Sequence, residues 1–410
     1  MSTPDITVYG SHWCPDCHRS KQFLGEHQVP YRWVDIEEDK DGEAFVIEAN
    51  EGKRRIPTLT IDGEVLSNPS NADLAAKLGF KTSAHKSHYD LIIVGGGPAG
   101  LTAALYTARE GIDTLVIERA AFGGQAAATM HLDNVPGFPE GVTGADLAGR
   151  LRRQAERFGV ELLQAQEVAG LHSHHNYHCV ELADGSEYSA LTVLLATGSR
   201  YRRLGVPGED DFLGSGVHFC ATCDGPFYKG QEVAVIGGGN SAAEESLFLS
   251  NMASKVTMLV RGDELTASEV IVSATQARPN IDVRFGTRVT AFEGAESKLR
   301  TLQLDGAQGQ ETLQVPGAFV FIGLDPNTSY LADTPVKRDD AGFVLTGHTL
   351  LEDGQRPDGF RDREPQPLET SLPGVFAAGD LRIGSTKQVA SAAGEGAAVA
   401  LEIREYLRRH

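Results

Sequence analysis

A strand, a glycine-rich turn and a helix occur twice in this chain, and this repeat constrains the fold more than any other sequence feature. The first copy joins the apolar residues 90–94 to a Gly-Gly-Gly-Pro-Ala-Gly turn, and the second joins residues 233–236 to Gly-Gly-Gly-Asn-Ser-Ala. Such turns let the backbone approach a pyrophosphate, whose charge the helix N-terminus stabilises. The repeat therefore predicts an α/β protein with two Rossmann-like, three-layer nucleotide-binding domains.

The first glycine turn has the fuller dinucleotide pattern. Gly95, Gly97 and Gly100 follow an apolar strand and open a helix. Glu118 stands 18 residues after Gly100, where a carboxylate can accept hydrogen bonds from ribose hydroxyls. We therefore expect a dinucleotide on this turn.

The second turn differs at the position that contacts the ribose. Gly237, Gly239 and Ala242 form the GxGxxA variant, and Val260 followed by Arg261 stands where an acidic residue would bind the 2′-hydroxyl. An arginine suits a 2′-phosphate. The sequence therefore favours NADPH and leaves NADH open.

Four of the five cysteines form two CxxC pairs, Cys14 with Cys17 and Cys220 with Cys223. This spacing lets one thiolate form a mixed disulfide that its neighbour resolves, and it also occurs in zinc sites. The two pairs are too far apart in the chain for the usual zinc spacing, so we expect no metal. Asp224 is a plausible acid–base partner, because a leaving thiolate needs a proton.

Composition excludes several other classes of protein. The net charge of −19 over 410 residues disfavours nucleic acid as a partner, and the sequence contains neither an apolar run long enough to span a membrane nor a leader pattern. We expect a cytoplasmic protein of two to three domains with no membrane partner. Cys179, the fifth cysteine, has a strand-like context and is expected to be buried and inert.

The first eighty residues have the pattern of a small α/β unit with its own thiol pair. Cys14 stands where a helix begins, and the basic residues His18, Arg19 and Lys21 follow it. The helix dipole and these charges should lower the pKa of the Cys14 thiol and make it the attacking group, with Cys17 resolving.

Two further features of this unit concern the substrate. Ile56 and Pro57 precede a strand, which fits the cis-proline that thioredoxin folds place against a CxxC pair. The alternative for Pro57 is an ordinary proline at the start of a strand. Trp13, beside the thiols, is either part of the substrate surface or a packing residue.

The C-terminal motif GVFAAGD at residues 374–380 resembles the second flavin motif of pyridine nucleotide-disulfide oxidoreductases. Together with GGGPAG, GGQ at 123–125, ATG at 196–198, CATCDG and GGGNSAAEE, it resembles the low-molecular-weight thioredoxin reductase family from about residue 89 to 407. The resemblance implies that Cys223 faces the flavin, Cys220 attacks the substrate disulfide and Asp224 handles the proton.

The resemblance also implies the two cofactor sites. FAD is expected on Gly95, Gly97, Gly100, Glu118, Gln125, Asn134, Thr197, Gly198, Gly379, Asp380, Gln388, Val389 and Ala390. The nicotinamide coenzyme is expected on Gly237, Gly239, Asn240, Ser241 and Arg261. NADPH-specific members usually carry a longer arginine run than Val260-Arg261-Gly262, so the coenzyme preference stays open.

The leading unit resembles glutaredoxins, and more narrowly the mycoredoxins. The similar segments are Trp-Cys-Pro-Asp-Cys-His-Arg at 13–19, Val-Asp-Ile-Glu at 34–37, Ile-Pro-Thr at 56–58 and Leu-Ser-Asn-Pro-Ser at 66–70. The glutathione-binding GGxD element is replaced by Ser-Asn-Pro-Ser, which leaves glutathione open as a partner. Trp13, Ile56 and Pro57 are the expected substrate contacts.

These patterns predict four segments: a glutaredoxin-like thioredoxin fold at 1–80, a linker at 81–88, an FAD domain at 89–205 with 324–410, and an NADPH domain at 206–323 that carries the CATC site. The predicted activity is NADPH-dependent, thioredoxin reductase-like disulfide reduction. Electrons would pass from NADPH through FAD to Cys220/Cys223, then to Cys14/Cys17 and an external disulfide. The alternatives are a peroxiredoxin reductase of the alkyl hydroperoxide reductase type and a low-turnover flavin sensor. We expect a homodimer whose substrate is a redoxin, a peroxiredoxin or a low-molecular-weight thiol disulfide.

Overall fold

The computed structural model describes residues 4–27, 29–127, 129, 132, 134–174, 176–295, 298–306, 309–351, 355–360 and 362–409, and the side chains of residues 26, 222 and 223 lie outside the description. The chain divides into two compact units. The first contains Met1–Ala128, Gly144–Gly198 and Thr328–His410, and the second contains Thr129–Thr143 and Ser199–Asn327. Each unit has its own buried apolar clusters.

The N-terminal part of the first unit alternates strands and helices as the sequence predicts. Its elements are β1 (Ile6–Gly10), α1 (Pro15–Glu26), β2 (Arg32–Asp35), α2 (Lys40–Ala49), β3 (Thr58–Ile61), β4 (Glu64–Ser67) and α3 (Asn71–Lys77). The sheet order is β2-β1-β3-β4, with β1 and β2 parallel and the other pairs antiparallel. Alternate residues of β1, including Ile6 and Val8, point into a core completed by Phe23, Leu24 and Leu74. This is a thioredoxin-type arrangement.

The first Rossmann-like part follows directly. Its elements are β5 (His88–Val94), α4 (Pro98–Arg109), β6 (Thr114–Glu118), α5 (Gly124–Ala127), α6 (Gly144–Arg157), β7 (Glu161–Gln164), β8 (Val168–His174), β9 (Tyr177–Leu182) and β10 (Glu187–Leu195). Strands β7, β6, β5 and β10 pair in parallel, whereas β9 and β8 continue the same sheet in antiparallel fashion. The glycine turn lies at the carboxyl end of β5, where ligands of parallel α/β sheets bind.

The second unit repeats this plan around its own glycine turn. Its elements are β11 (Ser199–Tyr201), β12 (Val217–His218), α7 (Ala221–Asp224), β13 (Glu232–Ile236), α8 (Asn240–Ser250), β14 (Lys255–Leu259), α9 (Glu269–Gln276), β15 (Ile281–Arg284), β16 (Arg288–Ala295), β17 (Lys298–Gly306), β18 (Gly309–Gln314), β19 (Gly317–Val320) and β20 (Leu324–Pro326). A parallel sheet has the order β12-β19-β13-β14-β15, and β16-β17-β18 form an antiparallel sheet.

The chain then returns to the first unit with β21 (Val375–Ala377) and α10 (Val389–Leu407). Strand β21 pairs in parallel with the end of β10, which places the GVFAAGD motif beside the first glycine turn. Helix α10 packs against α4 at Gly396, where a Cβ atom would lie 2.3 Å from the carbonyl oxygen of Ala99. The absence of a side chain at Gly396 therefore allows the two helices to approach closely.

The segment predicted as a linker lies against the first Rossmann-like part. Lys81 makes an ion pair with Glu161 at 2.7 Å, and the backbone N–H of His85 donates to the same carboxylate at 2.8 Å. Beyond the segment, Gln164 Nε2 lies 3.2 Å from Nδ1 of the buried His27. The segment is therefore held along much of its length, which differs from a free flexible tether.

Candidate active site

The first glycine turn has a shape that other residues would not tolerate. Gly95 has φ +107°, and a Cβ atom there would lie 2.4 Å from the carbonyl oxygen of Ala196. A Cβ atom at Gly100 would lie 2.0 Å from the carbonyl oxygen of Gly95. Gly97 differs from both, because no described atom lies within 4 Å of its Cβ position. Gly97 is also the N-cap of α4, so open space lies beside the exposed N–H groups of a helix N-terminus.

Glu118 is buried and holds the turn through backbone hydrogen bonds. Its carboxylate accepts from the N–H of Gly96 at 2.7 Å and from that of Ala120 at 2.8 Å. Burial raises the pKa of Glu118 despite these two bonds. The sequence predicted a ribose ligand here; the structure shows that the carboxylate also fixes the glycine turn, and each oxygen retains a further lone pair.

The C-terminal flavin motif lies beside the same helix end. A Cβ atom at Gly379 would lie 3.1 Å from that of Ala99 in the first turn of α4. Burial raises the pKa of the adjacent Asp380, while the nearby Lys387 ammonium opposes this shift. Gln388 is the N-cap of α10, and Val389 and Ala390 form its first turn.

Two shorter motifs complete this part of the site. Gly123 and Gly124 both have positive φ, and the Cβ position of Gly124 lies 3.4 Å from the Cα of Gly97. Gln125 is exposed in α5, and Gly198 has φ +66°. The described groups of the first unit thus provide two helix N-termini and an open glycine position, which fit the pyrophosphate of FAD. Of the other residues predicted to contact FAD, Thr197 lies in the first unit and Asn134 in the second.

The second glycine turn is built in the same way. Gly237 has φ +141°, and a Cβ atom there would lie 2.3 Å from the carbonyl oxygen of Phe321. Gly239 is the N-cap of α8. The N–H of Thr266 donates to the carbonyl of Gly238 at 2.8 Å, and that of Ser268 donates to Oδ1 of Asn240 at 2.7 Å. Asn240 therefore orders the loop that follows β14.

The groups expected to contact the coenzyme ribose are accessible. Ser241 and Arg261 are exposed, and Val260 is buried. Arg261 makes no ion pair with any residue that the structure describes. Its guanidinium is thus available for a phosphate, and the geometry fits the NADPH expectation.

The CATC segment forms a short helix next to a buried polar cluster. Cys220, just before α7, is disulfide-bonded, and the side chain of Cys223 lies outside the described residues. The carboxylate of Asp224 lies 3.3 Å from Nδ1 of His218, and Nε2 of His218 lies 2.6 Å from the hydroxyl of Tyr228. Burial and the Asp224 charge raise the pKa of Tyr228 to about 12.

His218 and Tyr228 are not among the residues predicted from the sequence. The signal was available, because His218 stands two residues before Cys220 and Tyr228 four residues after Asp224. The strand β12 and the 3-10 turn at Gly225–Tyr228 bring both rings to Asp224, and this convergence depends on tertiary packing. Both side chains are candidates for controlling the proton of Asp224.

The N-terminal thiol pair has the geometry of a redox-active CxxC. Cys14 is the N-cap of α1, and its Sγ accepts from the N–H of Cys17 at 3.1 Å. Both cysteines are free and buried, and burial raises the pKa of Cys17 to about 12. The Ile56–Pro57 bond is cis, which confirms the prediction, and the carbonyl of Ile56 lies 4.0 Å from Cys14 Sγ.

The surroundings of this pair favour a substrate surface. Trp13 is 66% exposed, and its indole N–H donates to the Glu37 carboxylate at 3.4 Å. The basic residues after the thiols have other contacts. His18 bonds the carbonyl of His12, and Arg19 donates to the Asn68 side chain and the Pro69 carbonyl. The Lys21 ammonium lies 4.2 Å from the centroid of the Trp33 ring. Their charge is therefore shared with these groups and is not directed at Cys14 alone.

Two parts of the chain match two known protein families. Residues 89–396 match the family of pyridine nucleotide-disulphide oxidoreductases, and residues 6–66 match the glutaredoxins. A bifunctional thioredoxin reductase/thioredoxin of Mycobacterium leprae is 40% identical over 331 residues, which cover 80% of this chain and 68% of that protein. A thioredoxin reductase of Treponema pallidum is 39% identical over 78% of this chain and 98% of its own length.

Solved structures show the same likeness. A thioredoxin reductase of Streptococcus pyogenes superposes with a TM-score of 0.70 at 34% identity, covering 79% of this chain and 99% of that one. A thioredoxin reductase of Giardia duodenalis gives a TM-score of 0.70 at 30% identity, with 79% and 100% covered. Among the described residues, every helix is too short or too polar to cross a membrane.

Proposed function

Because this chain belongs to the pyridine nucleotide-disulphide oxidoreductases, and within them to the thioredoxin reductase family, we propose that its FAD-dependent disulfide reduction uses both CxxC pairs in series. The family is FAD- and NADPH-dependent. Neither the peroxiredoxin reductase nor the flavin sensor is favoured by the relatives. The chain is an oxidoreductase, and the proposal concerns which of its residues carry the electrons and to what acceptor.

The proposal assigns FAD to the first unit. Gly95, Gly97 and Gly100 would receive its pyrophosphate at α4, and Asp380 with the first turn of α10 would hold the remainder. When bound, FAD supplies two-electron transfer between the nicotinamide and a disulfide. In the second unit, the turn at Gly237 and Gly239 would bind the coenzyme, and Arg261 would select the 2′-phosphate of NADPH.

The thiol chemistry is assigned to the chain's own groups. In the dithiol state, the Cys220 thiolate attacks the Cys14–Cys17 disulfide, and Cys223 resolves the mixed disulfide, so two electrons and two protons move to the N-terminal pair. Asp224 handles the proton at the CATC site. Cys14 then attacks the external disulfide and Cys17 resolves it. The sum is reduction of one external disulfide to two thiols by NADPH and one proton.

One observation supports the proposed relay between the two thiol pairs: the N-terminal domain has a complete CxxC site of its own. Cys14 caps α1, receives the Cys17 N–H, and faces the carbonyl before a cis-proline. Backbone groups beside such a proline can bind an extended substrate chain, and the exposed Trp13 offers an apolar surface next to the thiols. This geometry supports a protein or peptide disulfide as acceptor.

The finer assignments form part of the same proposal. They are the four-segment division at 1–80, 81–88, 89–205 with 324–410, and 206–323, a homodimer, and a cytoplasmic location. The acceptor belongs to the redoxins, the peroxiredoxins or the low-molecular-weight thiol disulfides. The relative from M. leprae is named as a bifunctional thioredoxin reductase/thioredoxin, which supports transfer to a redoxin within the same chain.

The experiment is NADPH consumption by the full-length, FAD-loaded protein with a panel of these acceptors. Cys14→Ser should abolish turnover with the physiological acceptor while NADPH still reduces the bound flavin, and Ser254→Ala, at an exposed residue outside every assigned site, is the control with wild-type turnover. Equal rates for wild type and Cys14→Ser with every acceptor would exclude the relay. Arg261→Ala should raise KM for NADPH and leave KM for NADH unchanged; parallel changes in both would contradict the phosphate assignment.

A further inference from the structure

Strands β8, β9 and β10 carry a group of metal-ligating side chains on one face. His172 pairs with Cys179 across β8 and β9, and Cys179 pairs with Ser189 across β9 and β10. Directly paired residues share a face of the sheet, as do residues two apart in one strand. His172, His174, Cys179 and Glu187 therefore lie on the same face.

The opposite face of these strands is the core side. Leu171, Val180 and Tyr188 alternate with the ligating residues and belong to a buried apolar cluster of the first unit. The ligating face is therefore the outer face of the sheet. Cys179 is nevertheless only 2% exposed, whereas the side chains of His172 and Glu187 are 41% and 50% exposed. The thiol thus lies beneath polar groups that reach solvent.

The ligand atoms are already close together. The donor atoms of His172, His174 and Cys179 all lie within 4.8 Å of one another, and Nε2 of His172 lies 3.2 Å from a carboxylate oxygen of Glu187. Burial and the neighbouring Glu187 carboxylate raise the pKa of the Cys179 thiol. The donors of His172, His174 and Cys179 thus form one group, and the Glu187 carboxylate contacts two of its members, His172 and Cys179.

We propose that His172, His174, Cys179 and Glu187 bind one zinc ion on the outer face of β8, β9 and β10. Zinc takes thiolate, imidazole and carboxylate ligands in a tetrahedron with bonds of about 2.0–2.3 Å, so its ligand atoms lie about 3.5 Å apart. Rotation about the side-chain torsions would bring the donors of His172, His174 and Cys179, now within 4.8 Å of one another, to that spacing. This site is separate from both nucleotide turns and both CxxC pairs.

Charge and protonation agree with this ligand set. A thiolate and a carboxylate together neutralise the charge of Zn²⁺, and the imidazoles bind in their neutral form. Binding displaces the thiol proton of Cys179 to solvent, so affinity rises with pH. A full set of four protein ligands leaves no open position, which is the arrangement of structural zinc. Bound zinc would join the edge strand β8 to β9 and β10.

The test uses the full-length, FAD-loaded protein without reductant, so that both CxxC pairs are disulfides and Cys179 is the remaining thiol. Zinc is measured by equilibrium dialysis, and Co²⁺ serves as a spectroscopic probe because tetrahedral cobalt absorbs at longer wavelengths than flavin. We expect one zinc per chain and a tetrahedral cobalt spectrum. Cys179→Ser and His174→Ala should each weaken zinc binding at least about tenfold, in line with loss of a ligand.

The matched control is His348→Ala, which removes an exposed histidine outside the cluster and should bind zinc as wild type does. Flavin content of each variant reports whether the fold is intact, and His174→Ala keeps the test valid if the buried Cys179→Ser variant fails to fold. Zinc should also raise Tm of the wild type and not of His174→Ala. Absence of zinc binding by the oxidised wild type, or equal affinity in His174→Ala, would overturn the proposal.

Discussion

Nδ1 of His218 lies 3.3 Å from the carboxylate of Asp224, the residue that directly follows the CATC pair. The histidine is 4% exposed, and its Nε2 lies 2.6 Å from the Tyr228 hydroxyl. The raised pKa of Tyr228 keeps its phenol protonated, and the imidazole tautomer decides whether the phenol or Nε2 donates the bond between them. The contact to Asp224 is not aligned as a hydrogen bond. The bond to Tyr228 holds the imidazole ring beside the carboxylate, where the ring changes the electrostatic environment of the Asp224 proton.

His218 is therefore a positioning residue for the Asp224 proton. His218→Ala should lower kcat for disulfide reduction roughly tenfold, less than the factor of about 10²–10⁴ that loss of a general acid can cause. It should also shift the pH dependence of kcat and leave KM for NADPH unchanged. Tyr228→Phe, which removes the hydroxyl bonded to Nε2 of His218, should shift the same pH profile by a smaller amount. A purely structural role would lower kcat without moving the profile.

Cys17→Ser should trap the N-terminal site in a mixed disulfide with its substrate. The Cys14 sulfur can still attack, but the resolving thiol, whose pKa burial raises to about 12, has been replaced by a hydroxyl that cannot exchange. Mass spectrometry after incubation with substrate should show one substrate molecule on Cys14 that dithiothreitol removes. Cys14→Ser is the control and should form no adduct. An adduct on Cys14→Ser would reverse the assigned roles.

Gly97→Ala should reduce flavin binding without unfolding the protein. No described atom lies within 4 Å of the Cβ position, and φ is −76°, so alanine fits the protein but fills the space assigned to the pyrophosphate. We expect flavin content to fall at least about tenfold with unchanged circular dichroism. Gly394→Ala in α10 is the control, because its Cβ position is also open. Full flavin content in Gly97→Ala would contradict the assigned site.

Glu402 makes the stability of the protein depend on pH. Burial raises its pKa from 4.5 to about 7. Between these values the folded state binds more protons than the unfolded state, so the free energy of unfolding falls as pH rises through this window. Glu402→Gln keeps an acceptor for the N–H of Leu368, which lies 2.9 Å away, and removes the buried charge.

The Glu402→Gln variant should therefore be more stable than wild type at pH 8, by up to about 2–3 kcal/mol, and nearly equal to it at pH 5. Denaturant unfolding at the two pH values measures the difference. Glu405→Gln on the same helix, where the side chain is 46% exposed, is the control and should change little at either pH. A constant difference between wild type and Glu402→Gln at both pH values would exclude this titration.

Local sequence determined the two nucleotide turns and the two thiol pairs. Gly95 and Gly237 require positive φ and close backbone approach, and only glycine meets both conditions, so their spacing revealed the turns directly. The CxxC spacing likewise fixes two thiols within one helical turn, as Cys14 and Cys17 show. The cis form of Pro57 followed from its place before β3 in a recognisable redoxin pattern.

Tertiary structure alone decided which distant groups meet. His218, Asp224 and Tyr228 converge because β12, α7 and the following turn pack together, and the register of β8, β9 and β10 places His172, Cys179 and Glu187 on one face. Neither arrangement has a fixed spacing in the chain. Residue type determines short-range backbone geometry. Contacts between separate elements depend instead on packing and strand register, which cannot be derived from a single sequence.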